Sequence, residues 1–321
     1  MNPRITSIDA LRGLVMQSSL ECKQAENGGV VCLQSTRRLP LPSSLHKPMP
    51  QSALSTLFAI VFTATAACQG LAAEEKVPFH FGHRGGAHEF EENTLFAFKN
   101  CSEKGIRGFE LDVRMNKDGE LVVLHDDTLD RTHHAKGPVE HLNADEARKI
   151  TTKVQNEPLL FLDTLLDYLK DKPGVYVEFE MKTSNKELYP DARIEEYAAK
   201  LHPKVTAHVP KGATYVFTSF DQRPLMAIKK IDPKADIMLI KGGPLTPELM
   251  EAAKAIGSKR IAATMAGTTR LAVQEAQKQG FIVTGWPGRN LNDYFLGLGL
   301  GVDAICSDVP VLVQEYIEKK K

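Results

Sequence analysis

The stretch GFELDVRMNKDGELVVLHD, residues 108–126, predicts two strands joined by a turn with no helix between them. Side chains alternate along a strand, so Glu110 and Asp112 share one face while the apolar residues beside them share the other. Only the twelve residues 113–124 separate Asp112 from His125, whereas a parallel crossover through a helix normally needs a dozen or more before the next strand is counted. We therefore expect an extended descent, a turn at residues 116–119 and a direct return up the next strand.

Short β-branched or aromatic runs recur along residues 74–321 and alternate with helical patterns, as repeated βα units do. The predicted strands cover residues 79–83, 108–113, 121–125, 175–180, 214–218, 236–239, 260–263 and 281–286. The predicted helices cover residues 95–104, 144–150, 162–171, 193–201, 223–231, 246–256, 270–279 and 291–298. Eight strands in about 250 residues predict an α/β fold, a single (β/α)₈ TIM barrel with an irregular, helix-less connection between its second and third strands.

Four of these strands bring charged or imidazole groups to their carboxyl ends, the face on which barrel enzymes carry out their chemistry. In a barrel, the inward face of a strand should otherwise be apolar. The side chains concerned are His83, Glu110, Asp112, His125, Glu178, Glu180 and Lys182.

Three carboxylates that converge in one site repel each other unless a cation compensates. Oxygen ligands alone favour a hard ion, Mg²⁺ or Ca²⁺. A single Glu-x-Asp pair is usually no more than an exposed strand face, but here two histidines and the basic residues Arg84 and Lys182 are predicted on the same rim. This combination suits phosphodiester cleavage, because a metal and a guanidinium offset charge on the phosphoryl oxygens while one imidazole accepts a proton and another donates one.

Seven short motifs follow one another in order along residues 83–310. They are His83-Arg84-Gly85, Glu92-Asn93-Thr94, Glu110-Leu111-Asp112, His125-Asp126, Glu180-Met181-Lys182, Ser219-Phe220 and Gly301-Val302-Asp303 with Ser307-Asp308-Val309-Pro310. In these motifs and their order the chain resembles the glycerophosphodiester phosphodiesterase family, within the PI-PLC-like phosphodiesterase superfamily. The chain departs from the family pattern at Glu91, where a proline is usual, and this departure affects the rim and the substrate preference.

The resemblance implies hydrolysis of a small glycerophosphodiester or lysolipid to glycerol 3-phosphate and an alcohol. The implied roles are an acid–base pair (His83 and His125), ligands of one Mg²⁺ or Ca²⁺ ion (Glu110, Asp112 and Glu180), phosphate contacts (Arg84 and Lys182), rim residues (Glu92 and Asn93) and packing against the glycerol or alcohol group (Trp286). Two alternatives remain open. One is cleavage of the sphingomyelinase D or lysophospholipase D type, which gives a cyclic phosphate, and the other is a barrel that binds phosphodiesters without cleaving them.

Residues 1–73 are predicted to be a leader outside the fold, and residues 74–321 the catalytic domain. Residues 53–67 form an apolar run preceded by basic residues, as in a signal peptide. The run is too short and too rich in Ser and Thr for a membrane span, which needs roughly 20 apolar residues, so no stable span is expected in the mature chain. We expect export to the periplasm or the medium, either by cleavage after Ala72 or Ala73 or with a lipid anchor at Cys68.

The cysteines and charges of the remaining chain bear on disulfide bonding and on nucleic-acid binding. Cys101 and Cys306 are predicted to be separate buried thiols, with a disulfide as the alternative if barrel closure brings them together. The 40 basic and 40 acidic groups balance over the whole chain, but residues 1–48 carry six basic and three acidic ones. The rest is therefore slightly acidic, which gives no electrostatic reason to expect a nucleic-acid partner.

Overall fold

The computed structural model describes residues 7–10, 15–24, 30–38 and 77–320, and the chain divides into two units, Met1–Glu75 and Lys76–Lys321. In the first unit, β1 (Ser7–Ala10), β2 (Val15–Gln24) and β3 (Val30–Arg38) form an antiparallel sheet in that order, which the sequence did not predict. The predicted signal-peptide core, residues 53–67, and Cys68 lie outside the described residues. Among the described residues, no helix is both long and apolar enough for a membrane crossing.

Eight parallel strands of the second unit close into a barrel with helices between them, which confirms the predicted (β/α)₈ fold. The strands of this unit are β4 (Phe79–Gly82), β5 (Gly108–Met115), β6 (Leu121–Val123), β7 (Tyr176–Met181), β8 (Thr214–Ser219), β9 (Ile237–Lys241), β10 (Arg260–Thr264), β11 (Ile282–Gly288) and β12 (Ala304–Ser307). All except β6 belong to the parallel barrel, which closes between β4 and β5, where Gly82 lies opposite Phe109.

The helices occupy the connections between the strands, except for the last helix, which follows β12. They are α1 (Leu95–Glu103), α2 (Ala144–Ala147), α3 (Leu162–Leu169), α4 (Asp191–Thr206), α5 (Gln222–Ile231), α6 (Pro247–Ala255), α7 (Arg270–Lys278), α8 (Leu291–Leu300) and α9 (Pro310–Glu318). Short 3₁₀ turns cover His83–Gly85 and Val139–His141.

The third predicted strand is not a barrel strand, although its connection lacks a helix as expected. Instead of descending after Asp112, β5 continues to Met115, and β6 returns beside it in antiparallel register. Asn116 holds the turn, since its side-chain oxygen accepts hydrogen bonds from the amides of Asp118 and Glu120. A connection this short can join antiparallel but not parallel strands. The eighth barrel strand is β12, a four-residue strand that the sequence analysis did not predict.

Helix α9 was also missed, although Pro310 at its first position is a local start signal. The residue before the helix, Val309, has no side-chain acceptor for the free amides. The carboxylate of Glu89 takes that role, accepting hydrogen bonds from the amides of Val311 (2.9 Å) and Leu312 (2.8 Å). This cap is formed by a residue more than 200 positions away, so no local pattern could predict it.

The distribution of apolar residues places the site at the rim. The main core lies between the outer faces of the strands and the helices. Inside the barrel are two small apolar clusters, Val216, Met238, Ile240 and Ala262 in one and Phe81, Ala304 and Cys306 in the other. Next to them, the inward residues of β5 and β7 are carboxylates, so the barrel interior changes from apolar to strongly acidic near the rim.

The contact that closes the barrel has no room for a side chain at Gly108. A Cβ atom there would lie 2.8 Å from Cβ of Phe81 and 2.8 Å from Cζ of Phe79. We expect Gly108→Ala to lower the free energy of unfolding by about 1–3 kcal/mol, as overpacking typically does. Gly299→Ala is the control, since no atom lies within 4 Å of the added Cβ in α8. Denaturant unfolding measures both changes, and equal stability of the two variants would contradict the packing argument.

Candidate active site

The end of β4 delivers His83 to the rim through a tight turn. Arg84 adopts a left-handed conformation (φ 52°), as do Gly85 and Gly86, so the chain turns sharply after the histidine. His83 Nδ1 lies 2.5 Å from Oδ1 of Asp308, and its Nε2 lies 3.8 Å from Oε2 of Glu110. Because a carboxylate accepts at Nδ1, that nitrogen carries the proton and Nε2 is left free towards the site.

Asp308 was quoted in a motif but was not predicted as a site residue. It follows β12 and is only 4% exposed. Burial disfavours its charged form, but the hydrogen bond and charge of His83 outweigh burial and lower the pKa of Asp308. Asp308 is thus an ionised group that fixes the ring of His83. Recognition of strand β12 would have indicated this contact, because β12 pairs with β4 and places residue 308 next to the end of β4.

His125 also reaches the rim, but by a route that the sequence did not predict. Strand β6 runs downwards beside β5, and the amide of Leu124 donates to the carbonyl of Asp112 at 3.0 Å, so the next residue lies at the level of the carboxylates. The buried Arg114 donates from Nη2 to the carbonyl of His125 at 3.0 Å and so fixes this segment.

The ring of His125 is also oriented by a carboxylate. Its Nδ1 lies 2.7 Å from Oδ1 of Asp126. The carboxylate of Asp126 in turn accepts from Arg131, at Oδ2 from Nε and at Oδ1 from Nη2. The hydrogen bond from Arg131 is the main cause that lowers the pKa of Asp126 to about 2. Arg131 also donates to both oxygens of Glu92, at 2.7 and 2.8 Å. Asp126 was quoted in a motif but, like Arg131, was not predicted as a site residue, because this network depends on loop geometry.

Glu110, Asp112 and Glu180 come together as predicted. In the register of β5 and β7, Asp112 lies opposite Glu180, and one oxygen from each of the three carboxylates lies within 4.8 Å of the others. Burial, and then the charges of Asp112 and Glu180, raise the pKa of Glu110 well above its usual value. Burial also disfavours the charge on Asp112, but Lys182, His125 and Arg84 hold its pKa below the usual range.

Two oxygens of this carboxylate triad lack hydrogen bonds. Glu110 Oε1 and Asp112 Oδ1 are buried and have no hydrogen-bond partner in the described part of the chain. A buried polar atom without a partner is costly. The triad offers only oxygen donors, which hard cations such as Mg²⁺ and Ca²⁺ prefer, so these residues could hold such an ion.

Arg84 and Lys182 flank the carboxylates. The backbone amide of Arg84 donates to Glu110 at 3.0 Å, and its Nε lies 3.4 Å from Asp112. Lys182 Nζ donates to Glu180 at 2.7 Å and lies 3.5 Å from Asp112. The guanidinium of Arg84 and the ammonium of Lys182 are therefore held beside the triad, where they can contact an anionic ligand.

Glu92 and Asn93, predicted as rim residues, occupy different depths. Glu92 accepts from Arg84 Nη1 at 3.1 Å as well as from Arg131, so it joins the two guanidinium groups. Asn93, in a left-handed conformation (φ 58°), is buried and donates to Asp112 at 2.8 Å. It therefore orients a carboxylate of the triad instead of shaping the edge of the pocket.

Glu91, the departure from the family pattern, anchors a neighbouring loop. Its carboxylate accepts from Thr152 Oγ1 at 2.7 Å and from the amides of Val154 and Gln155, both at 3.0 Å. The side chain therefore points away from the triad and ties the segment around residue 153 to the rim.

These groups surround a pocket of about 260 Å³ at the mouth of the barrel. His83, His125 and the two cations line it together with carboxylates of β5 and β7. Phe220 and Trp286 form an aromatic wall, with ring centroids 5.5 Å apart in a T-shaped arrangement. Glu178 and Cys306 also line the pocket. The site thus combines a strongly charged side with an aromatic one, as suits a molecule with an ionic and a less polar part.

Asp308 offers a test of how the site is built. We expect Asp308→Asn to lower kcat by at least about 10-fold and by up to about 10⁴-fold, the loss found when the aspartate that orients a proton-transferring histidine becomes asparagine. The amide keeps the shape but not the charge that stabilises a protonated His83. The pH dependence of kcat should shift as well, whereas a merely structural defect would leave the profile in place and lower the thermal stability.

Sequence comparisons relate the chain to one family of known proteins. The sequence model of the glycerophosphoryl diester phosphodiesterase family matches residues 83–312. A glycerophosphodiester phosphodiesterase from Caldanaerobacter subterraneus subsp. tengcongensis is 30% identical over 244 residues, covering 74% of this chain and 96% of that protein. One from Bacillus altitudinis is 27% identical over 252 residues, covering 75% and 98%.

Solved structures show the same fold. An Oleispira antarctica phosphodiesterase in complex with the product sn-glycerol-3-phosphate superposes with a TM-score of 0.69 at 21% identity, covering 75% of this chain and 97% of that one. A glycerophosphodiester phosphodiesterase from Parabacteroides distasonis gives a TM-score of 0.62 at 18% identity, covering 76% and 98%.

Proposed function

The chain belongs to the glycerophosphoryl diester phosphodiesterase family and is a glycerophosphodiester phosphodiesterase, and from this premise we propose how its rim residues hydrolyse the substrate. The proposed reaction converts a glycerophosphodiester to glycerol 3-phosphate and an alcohol. It uses two histidines and one divalent cation, Mg²⁺ or Ca²⁺. The observation that carries the proposal is that His83 and His125 line one pocket and that each has its Nδ1 held by an aspartate.

Two imidazoles whose Nδ1 atoms are each held by an aspartate suit acid–base catalysis. An aspartate at Nδ1 fixes the ring and stabilises the imidazolium that forms when Nε2 accepts a proton. One histidine takes the proton of the attacking group, and the other protonates the departing alkoxide. Attack by a water gives glycerol 3-phosphate directly. Attack by the glycerol 2-hydroxyl gives a cyclic phosphate, which a water then opens to glycerol 3-phosphate while the two histidines exchange their acid and base roles and the 2-hydroxyl oxygen is reprotonated. Asp308 and Asp126 therefore act as positioning residues for the pair.

Arg84 and Lys182 are proposed to bind the phosphodiester oxygens. Both already lie beside the carboxylate triad and line the pocket. Positive groups held in place before the reaction stabilise charge that develops on phosphoryl oxygens without having to reorganise. Glu110, Asp112 and Glu180 would hold the divalent cation, which adds further positive charge at the same oxygens when it is bound.

The aromatic wall is proposed to receive the glycerol or alcohol part of the substrate. Phe220 and Trp286 face the pocket with their rings in edge contact, and Lys182 Nζ lies 5.8 Å from the centroid of Phe220. The wall therefore borders directly on the proposed phosphate contact.

Phosphorus NMR of the products tests the reaction type. With glycerophosphocholine as the substrate, we expect an open phosphate monoester, glycerol 3-phosphate, as the stable product. A cyclic phosphate that persists would indicate the alternative of direct transfer to an internal hydroxyl without hydrolysis. Unchanged substrate under all ion conditions would overturn the proposed reaction.

We further propose that residues 1–73 are an export leader and that residues 74–321 form the catalytic domain. The charge-free apolar run at residues 53–67 and the small residues that follow it support this proposal. Mass spectrometry of the protein from its native host should give a chain that begins at residue 73 or 74, or at a lipid-modified Cys68. An intact leader on cytoplasmic protein would contradict export.

A further inference from the structure

The thiol of Cys306, a ligand for thiophilic metals, lies beside His83 and Glu110 in the pocket. It lies on β12 opposite Phe81 of β4, and it packs inside the barrel with Phe81 and Ala304. The thiol is buried and forms no disulfide, as predicted from the sequence. A nitrogen of His83, an oxygen of Glu110 and Sγ of Cys306 all lie within 4.8 Å of one another.

We propose that His83, Glu110 and Cys306 form a second metal site, which binds a thiophilic divalent cation such as Zn²⁺ or Cd²⁺ and thereby inhibits the enzyme. Thiolate, imidazole and carboxylate are the ligands from which zinc sites are built. Mg²⁺ and Ca²⁺ prefer oxygen donors alone, so the two kinds of ion are expected to choose different sets of residues.

The environment of His83 supports this site independently of Cys306. A histidine that binds a metal usually donates its other ring N–H to a carboxylate. His83 has that arrangement, since Asp308 lies 2.5 Å from Nδ1 and Nε2 is directed towards Glu110. Glu110 itself is only 3% exposed, and its Oε1 has no hydrogen-bond partner among the described residues.

Small side-chain rotations are enough to form the site. Ligand atoms around a tetrahedral zinc with ordinary bond lengths are about 3.5 Å apart, so atoms now up to 4.8 Å apart need to approach by roughly 1 Å. Rotation of the Cys306 thiol and of the Glu110 carboxylate can supply this movement without a change in the backbone. Three protein ligands leave a fourth position open to water or substrate.

Inhibition follows from the residues that the two sites share, and this part rests on the proposed function. Glu110 belongs to the carboxylate triad as well as to the second site. His83 cannot act as an acid or base while its free nitrogen binds a metal. An ion at the second site therefore removes one member of the acid–base pair and competes for one carboxylate.

Cadmium absorption tests binding without any assay of activity. The full-length protein is stripped with a chelator and titrated with Cd²⁺, and the ultraviolet charge-transfer band of cadmium-bound thiolate is recorded. The control is Cys101→Ala, which removes the other buried thiol of residues 77–320, whose Sγ contacts the carbonyl of Gly85. Cys22, Cys32 and Cys68 are common to every variant, so difference spectra isolate the contribution of Cys306.

We expect Cys306→Ala to remove a band equivalent to one cadmium ion, and Cys101→Ala to retain it. Cys306→Ser, which also lacks the thiol, serves if the alanine variant folds poorly. In the second arm, hydrolysis at saturating Mg²⁺ or Ca²⁺ is titrated with Zn²⁺. The zinc concentration for half inhibition, measured against each variant's own zinc-free rate, should rise at least tenfold in Cys306→Ala.

The cadmium titration and the zinc inhibition assay distinguish failure of the second site from failure of its inhibitory role. No band that depends on Cys306 would overturn the second site, and a band together with unchanged zinc sensitivity would overturn its inhibitory role. If the band appears but no variant hydrolyses a glycerophosphodiester, the site stands and the proposed function fails.

Discussion

Replacement of either His83 or His125 by alanine should lower kcat by about 10²- to 10⁴-fold, the usual contribution of a positioned acid or base. Each ring lines the pocket, and each has its Nδ1 fixed by an aspartate, so Nε2 is the only ring nitrogen available for proton transfer. The two substitutions should be far from additive, because residues that act as one unit lose most of their effect together. Initial rates with glycerophosphocholine at saturating substrate measure the loss.

The matched control is His134→Ala. His134 lies on the loop that follows the same hairpin and is exposed, and its backbone amide bonds to Thr151, so the side chain can be removed without disturbing that contact. Circular dichroism should show the same fold for all three variants. Near-normal kcat in both His83→Ala and His125→Ala would refute the acid–base assignment.

Glu180→Gln should weaken the apparent affinity for the divalent cation by at least about 100-fold, more than the loss of an outer-sphere partner usually costs. The amide keeps the size of the side chain and an oxygen that can accept from Lys182, but it removes the negative charge that pairs with the lysine at 2.7 Å. The dependence of the rate on Mg²⁺ or Ca²⁺ concentration measures this effect. At saturating ion, part of the activity should return.

Glu178→Gln is the control for this experiment. Glu178 lies two residues earlier on β7, is equally buried and lines the same pocket, but it is not a member of the triad. Burial raises the pKa of Glu178 to about 8, so at neutral pH the substitution mainly exchanges one neutral group for another. The ion requirement should therefore stay near wild type. Equal losses in both variants would show that general acidity of the pocket, and not the triad, binds the ion.

The sequence predicted the groups that follow from strand alternation. Glu110, Asp112, Glu180 and Lys182 lie where two-residue periodicity and a parallel barrel place them. His125 reached its expected place for a different reason, because the strand before it runs antiparallel to β5 and not parallel to it.

The partners of these groups could not be predicted, because they depend on tertiary geometry. Asp308 meets His83 only through β12, a strand that the sequence analysis did not predict. Arg131 joins Asp126 to Glu92 across two loops, and no periodic pattern encodes such a contact. In each case the residue type could be read from the sequence, whereas the contact depends on the folded chain.

Hydrolysis of glycerophosphocholine by chelator-stripped enzyme, assayed alone and after addition of Mg²⁺ or Ca²⁺, tests the central claim most directly. The claim is that the carboxylate triad and the two histidines act on the phosphodiester together with a divalent cation. It predicts loss of glycerol 3-phosphate production in chelator and recovery with one of the two ions. Full activity of the stripped enzyme, unchanged by either ion, would contradict it.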